Sequence, residues 1–307
     1  MKPKTLLPKI FLSRTFQFLS FILSVLNGFG QEHHGNELYL PLFNPGQTVV
    51  RHMAYSLLYD EEHEQSRWVA YELTAGETGG SSERESSFLL DPLVPSVTAS
   101  DEDYKGSGYD RGHLAPAADM AWSDQAMRES FYFSNISPQL PSFNRGIWKQ
   151  LEELVRNWAV FYGVIQVVTG PVLNSGLPSI GQNQVSIPSH FYKALLIHTP
   201  NGYQAIGFVM PNEGSNRTLI SFITTIDEVE RITGLDFFHL LADDEEARIE
   251  HSVDPGKWEW RSSRGVTHPL PSKRDDSSAT QCLGTTKTGA RCKNATRSIS
   301  GRCYLHD

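Results

Sequence analysis

The sequence predicts an α+β fold with a central, mainly antiparallel sheet flanked by helices, on three observations. Several stretches show strand-type alternation or β-branched and aromatic runs. Two carry the 3.6-residue apolar stripe of a helix. The two kinds of segment do not alternate as regular βαβ units, which a parallel sheet would require. No internal repeat is present.

The chain opens on a basic leader, Lys2, Lys4, Lys9 and Arg14, followed by the apolar run Phe16 to Leu26 and the small-residue stretch Asn27-Gly28-Phe29-Gly30. This order is that of a secretory signal over residues 1–30, so the mature chain is expected to begin near Gln31, secreted or periplasmic. The run is short for a spanning helix, which needs about 20 residues; an uncleaved anchor is the alternative, and no other membrane segment is expected. His33-His34 then lies at the mature terminus without an assigned role.

A folded body is expected over residues 37–262. Arg67 to Thr74 alternates, with Trp68, Ala70 and Glu72 on one face and Val69, Tyr71 and Leu73 on the other. Gly76 to Ser87 is a polar loop containing Arg84. Trp158 to Pro171 reads as one buried strand or two, and His190 to His198 with Gly202 to Met210 as a hairpin around Pro200-Asn201-Gly202. Asn144 to Val160 is helical, with Ile147, Leu151, Leu154, Val155 and Trp158 as its stripe, and Ser221 to Thr233 is a second helix stopped by Gly234. Asp243-Asp244-Glu245-Glu246 reads as a solvated helix start.

With 307 residues, 39% hydrophobic and 20% charged, the chain has the composition of a soluble globular protein with ample core. The net charge of −8 excludes a global positive field, so a nucleic-acid substrate would have to be held by local cations and a metal.

The chemistry concentrates in Asp110-Arg111-Gly112-His113, Asn135, Asn144, Glu152 and Arg156. Hydrolysis of a phosphodiester needs a base for water, neutralisation of the phosphoryl oxygens and stabilisation of the leaving alkoxide. His113 supplies the base. Asn144 offers a neutral oxygen to a hard cation such as magnesium, which keeps most of its waters. On a regular helix, residues 144, 148, 152 and 156 form one slowly winding edge, so Glu152 would orient water on the metal and Arg156 would grip phosphate. Simpler readings exist for each. Asn144 is a helix N-cap, Glu152 and Arg156 an i,i+4 surface pair, Asn135 a turn-closing residue, and His113 a satisfied structural histidine. Asp110 either supports a ligand or forms a structural salt bridge, while Trp148 and Trp158 are core residues.

Gly108-Tyr109-Asp110-Arg111-Gly112-His113-Leu114-Ala115-Pro116, then Ser134 to Gln139, Asn144 to Trp148 and Leu151-Glu152, resemble in order and spacing the DNA/RNA non-specific endonucleases of the ββα-metal, or His-Me finger, group. The likeness extends from about Tyr39 to Glu250, including Val168 to Pro171, Ile187-Pro188 and Thr233 to Phe238. The resemblance implies a ββα-metal nuclease fold. It implies His113 as general base, Asn144 as the direct ligand of magnesium (or manganese), and Glu152 as organiser of the metal's waters. It further implies Asn135 as a supporting residue, Arg111 and Arg156 as phosphate-facing arginines, and Arg84 as the additional arginine of the preceding loop. DNA and RNA are the implied substrates, cut with little sequence preference to leave 5′-phosphate ends.

A linker is expected over residues 263–280 and a separate module over 281–307. That module holds all 3 cysteines, and Cys282, Cys292, Cys303 and His306 form a C-x9-C-x10-C-x2-H set suited to a structural zinc ion. A disulfide with one leftover thiol is the rival arrangement. Lys287, Arg291, Lys293, Arg297 and Arg302 make this tail basic. The expected whole is an exported, magnesium-dependent, sugar-non-specific endonuclease. A metal phosphodiesterase for a smaller substrate and a non-catalytic nucleic-acid-binding protein are the alternatives. The oligomeric state is not encoded in any motif.

Overall fold

The computed structural model describes residues 37–96, 98–260, 280–285, 290–293 and 295–296. The chain divides into Met1–Glu37 and Leu38–Asp307, and the architecture given is that of the second unit. The signal-like leader, nearly all of the linker, and Cys303 and His306 of the tail lie outside the described residues.

Strands β1 (Val49–Arg51), β2 (Ser56–Asp60) and β3 (Gln65–Thr74) form a meander. The ribbon strands β4 (Asp110–His113) and β5 (Ile136–Gln139) follow, then β6 (Val164–Pro171), the short pair β7 (Ser179–Ile180) and β8 (Val185–Ser186), the hairpin β9 (His190–Thr199) and β10 (Gly202–Pro211), and β11 (Ile223–Thr224). The main sheet runs β1-β2-β3-β6-β9-β10-β11 with every described pairing antiparallel. The α+β expectation is met. Helices are α1 (Asp101–Tyr104), α2 (Asp124–Ser130), α3 (Lys149–Tyr162), α4 (Ile226–Thr233) and α5 (Asp243–His251).

Both sheet faces are buried, which explains why its strands are nearly continuous apolar runs. On one face Val69, Tyr71, Leu73, Ile165, Val167 and Leu195 pack against Leu151, Leu154, Val155 and Trp158 of α3. On the other, Trp68, Ala70, Val168, Ala194 and Leu196 meet Ile226, Val229 and Ile249 of α4 and α5. The alternation expected across 67–74 therefore separates two cores.

Three element boundaries differ from expectation. Trp158 to Tyr162 belong to α3, and the strand begins at Val164, because Gly163 at φ 89° ends the helix and donates to Ala159 O. The second helix starts at Ile226, where Thr225 caps it by accepting from Glu228 N; residues 219–222 form a 3-10 turn and Ile223–Thr224 an edge strand. The stretch around Asn144 is kinked. Phe143–Trp148 is a wide turn with Gly146 at φ −106°, ψ −114°, and the regular helix begins only at Lys149. The 144/148/152/156 edge thus breaks before 149, and Trp148 is wholly buried. The stop at Gly234 (φ 69°) and the acidic start of α5 are as expected.

The β4–β5 ribbon stands outside the main sheet, pairing Asp110 with Gln139 and His113 with Ile136. With α3 following, it forms a ββα unit. It is fastened from below: Ser66 Oγ of β3 donates to Ser134 O at 2.6 Å, and Asn212 Nδ2 donates to Pro138 O at 3.0 Å. Gly112 is required in the ribbon, since a Cβ there would lie 2.2 Å from the buried Gln139 side chain. Asp91, also buried, joins His52 Nε2 at 2.8 Å and the hydroxyl of Ser134 just ahead of β5. Burial alone would raise the Asp91 carboxyl, but hydrogen bonds from His52 and Ser134 hold it below the usual carboxylate range. A depressed carboxylate contributes stability above its unfolded pKa and loses it as pH falls through the folded value. Asp91→Asn is expected to lower stability by about 2 kcal/mol at neutral pH, and the deficit should shrink on acidification below about pH 4. Urea unfolding at several pH values checks this, and an unchanged midpoint at neutral pH would refute it.

Candidate active site

His113, the last residue of β4, is 8% exposed and boxed by Phe131 (centroids 4.8 Å apart, edge-on) and Phe88 (5.6 Å). Its Nε2 is buried and meets no hydrogen-bond partner. Burial, and then the charge of Arg84, push the imidazole down to about 3. The ring is therefore neutral at physiological pH, as a base must be.

Two arginines share the aromatic box. The guanidinium of Arg84 lies 4.9 Å from the centre of Phe131, and that of Arg111 lies 5.5 Å from Phe88 and 5.6 Å from Tyr104. Arg111 is also fixed by Asp101, Nε to Oδ1 at 2.7 Å. The loop arginine and the signature arginine expected beside His113 thus meet there.

Asn144 is brought to the same ribbon by Asp110. Its Nδ2 donates to Asp110 Oδ2 at 2.9 Å, and Arg145 grips that carboxylate through Nε (2.8 Å) and Nη2 (2.6 Å). A carboxylate only accepts, so the amide must present NH2 to Asp110 and turn its carbonyl oxygen away. Asp110 therefore does both things expected of it as alternatives. It supports a ligand candidate and forms a salt bridge. Asn144 precedes the kink and is not the N-cap of α3, which is Trp148.

Asn135 is fully buried and wholly engaged with backbone: Oδ1 accepts from Ala115 N at 2.8 Å, and Nδ2 donates to Ala115 O at 2.9 Å and Ser130 O at 2.8 Å. It holds the loop that leaves β4 and positions His113 without reaching a substrate.

Glu152 and Arg156 occupy successive turns of α3. Arg156 Nη1 pairs with Asp119 Oδ1 at 2.7 Å, and Asp119, fully buried, also accepts from Tyr71 OH at 2.8 Å. One of five guanidinium donors is so used. Lys193 of β9 is fully buried, donating to Thr169 Oγ1 at 3.1 Å with its ammonium 4.5 Å from the centre of the Trp148 ring. Burial pushes the Glu152 carboxyl well above its ordinary value; Lys193, Arg156 and Arg84 counter this and Asp119 adds to it. Burial likewise pushes the Lys193 ammonium down, with Glu152 and Asp119 opposing. Asp119 and Lys193 were missed in the sequence. The available signal was one lysine inside an otherwise apolar strand, a position almost never filled without a partner.

The donor set fits a hard divalent ion. Asn144 keeps its neutral amide oxygen free of Asp110 and Glu152 adds a carboxyl group, while His113 Nε2 is not consumed by an internal hydrogen bond. In the tail, Cys282 and Cys292 are buried side by side, and Gly284 N donates to Cys282 Sγ at 3.3 Å.

Fold and site together define a ββα-metal nuclease architecture. The sequence profile of the DNA/RNA non-specific endonucleases matches residues 35–244, and the chain belongs to that family. Its relatives include the mitochondrial nuclease EXOG of Xenopus laevis, 35% identical over 229 residues, 68% of this chain and 63% of that protein. Human mitochondrial endonuclease G is 35% identical over 199 residues, 60% of this chain and 67% of its own length. Nuclease C1 of Cunninghamella echinulata var. echinulata is 35% identical over 228 residues, 67% of this chain and 89% of that one. Among solved structures, the EndoG/EndoGI complex contains a chain with TM-score 0.62 and 33% identity, covering 66% of this chain and 90% of that one. The chain thus spans less than two thirds of the EXOG relative's length.

The two asparagines should separate cleanly by mutation. Asn135→Ala strands buried backbone groups of Ala115 and Ser130 and is expected to cost about 2–4 kcal/mol of stability. Asn144→Ala should leave the melting temperature within about 2 °C of the parent. Calorimetry on both variants decides this, and equal melting points would overturn the assignment.

Proposed function

We propose that the chain is an exported, magnesium-dependent (or manganese-dependent) sugar-non-specific endonuclease that hydrolyses phosphodiester bonds of DNA and RNA. The observation that carries the reading is the neutral, buried His113 with an unpartnered Nε2, set on the strand whose Asp110 holds Asn144. Family membership and relatives that carry the name nuclease support it.

In this reading the His113 imidazole takes the proton of the attacking water. Arg84 and Arg111 supply positive charge beside the imidazole and face the non-bridging oxygens, with Arg156 behind them. Asn144 would hold a divalent metal ion directly and Glu152 would order the water around it. The ion, when bound, neutralises charge building on phosphorus oxygens and on the departing 3′ oxygen. Phosphate and backbone contacts carry no base information, so cutting is indiscriminate.

His113→Ala is expected to reduce plasmid nicking by about 10²–10⁴-fold, and chelator should abolish nicking by the parent. Nucleic-acid retention with no nicking by the parent at any metal concentration would favour the non-catalytic binder instead. The acid limb of the rate profile should belong to Glu152. Its carboxyl must be ionised, so activity falls as pH drops through its raised value, whereas His113 is already neutral there. In Glu152→Gln the residual rate should lose that limb; a limb that persists would assign it to the histidine.

Export is supported by the basic, apolar leader, whereas the relatives EXOG and endonuclease G are mitochondrial. The adjacency of Cys282 and Cys292 supports a structural zinc ion completed by Cys303 and His306. The purified full-length product tests both. Its N-terminus should lie near Gln31, and it should carry zinc that Cys282→Ser loses; a retained leader, or a variant with parental zinc, would reject the corresponding proposal.

A further inference from the structure

Helices α4 and α5 lie together over one sheet face, and their exposed sides converge on an acidic group remote in sequence from the ribbon. Asp227 and Glu230, three residues apart on α4, share one side of that helix. Glu250 comes from the last turn of α5. One carboxylate oxygen from each lies within 4.8 Å of the other two.

Three carboxylates gathered so closely repel one another when ionised, and either a cation or shared protons must offset that repulsion. Glu250 is 7% exposed, and its buried Oε1 has no hydrogen-bond partner. An orphaned, desolvated carboxylate oxygen inside an acidic cluster is costly unless a ligand completes it. The nearby arginines are engaged elsewhere. Arg231 forks onto Glu228 at 2.6 and 2.7 Å, and Arg248 binds Glu245 at 2.7 Å. His251 Nδ1 lies 3.2 Å from Asp227 Oδ2. Glu230 gives one oxygen to Phe237 N at 2.8 Å, which fixes the side chain in place. Asp236 and Glu246 add further negative charge around Glu230 and Glu250.

Three carboxylates with no nitrogen or sulfur donor suit a hard cation, and calcium takes more oxygen ligands than magnesium, which keeps most of its waters. Calcium also tolerates irregular coordination, and the exposure of Asp227 leaves room for water to fill the remaining positions.

We propose that Asp227, Glu230 and Glu250 form a second, non-catalytic site for a divalent cation of the calcium class, which ties α4 to α5. The site shares no residue with the proposed catalytic centre and does not depend on that reading.

The test is calcium titration of the full-length, metal-stripped protein carrying Asn144→Ala, which removes the direct ligand of the other centre. Isothermal calorimetry should find one calcium per chain, and adding Glu250→Gln should weaken it by about tenfold or more. Calcium at about a hundredfold excess over its Kd should raise the melting temperature of the parent by several degrees but not that of Glu250→Gln. Asp227→Asn, at an exposed position, serves as the second variant should Glu250→Gln fail to fold. It should weaken calcium binding while nicking at saturating magnesium stays parental. No calcium binding up to millimolar concentration overturns the proposal, as does equal binding by both variants. A melting temperature that rises on acidification and ignores calcium would mean that a shared proton occupies the place, and would also overturn it.

Discussion

The Asp110 carboxylate is the contact on which the geometry of the site depends. It lies at the start of a four-residue strand, it accepts from Asn144 on one oxygen, and it takes both arms of Arg145. Without it the ribbon that carries His113 and the kinked turn that carries Asn144 are merely consecutive pieces of chain. Burial opposes its charge, yet Arg145, Asn144 and Arg111 hold it below the ordinary carboxylate range. One residue thus fixes the orientation of an amide, through the rule that a carboxylate can only accept.

Behind this contact lies a group of charges that the core does not neutralise with water. Asp119, Arg156 and Lys193 are buried or nearly so, and Tyr71 and Thr169 complete their hydrogen bonds. Ion pairs in such surroundings seldom add net stability, because desolvation offsets the attraction. Their effect here is electrostatic. Opposing fields from Lys193, Arg156 and Arg84 counter the burial that raises Glu152, while burial and Arg84 keep His113 uncharged. The same arginine favours a charged carboxylate and an uncharged imidazole, which is the protonation pattern a metal-assisted hydrolase needs.

What the sequence disclosed, and what it withheld, divide by range. The alternation at 67–74, the hairpin turn near Pro200, the glycine stop at 234 and the apolar stripe of α3 are local, and each was legible. The kink at Gly146 was hidden because an apolar stripe reads through a turn whose backbone departs from the helix. The start of β6 was blurred because Trp158 to Tyr162 have strand-type side chains, and Gly163 is the punctuation that settles it. Asn135 was expected in a supporting role, but the three hydrogen bonds it makes, to Ala115 and Ser130, are not encoded by spacing along the chain. Asp119 carried no local signal, and the lone lysine at 193 signalled a partner without naming it. Their meaning lies in pairing across the sheet and helix, which no spacing along the chain encodes.

The placement of aromatic side chains bears on selectivity. Reading single-stranded bases requires exposed rings on which they stack, and reading duplex sequence requires donors and acceptors aimed at base edges. Here Trp148 and Trp158 are sealed in the core, and Phe88 and Phe131 are engaged in boxing His113. The charged groups beside the imidazole are the guanidiniums of Arg84 and Arg111, which share its aromatic box. A guanidinium recognises phosphate, which does not vary with the base. With a net charge of −8 no global positive field draws nucleic acid to the chain. On the proposed reading, local cations such as Arg84 and Arg111 beside His113 would have to hold the phosphate.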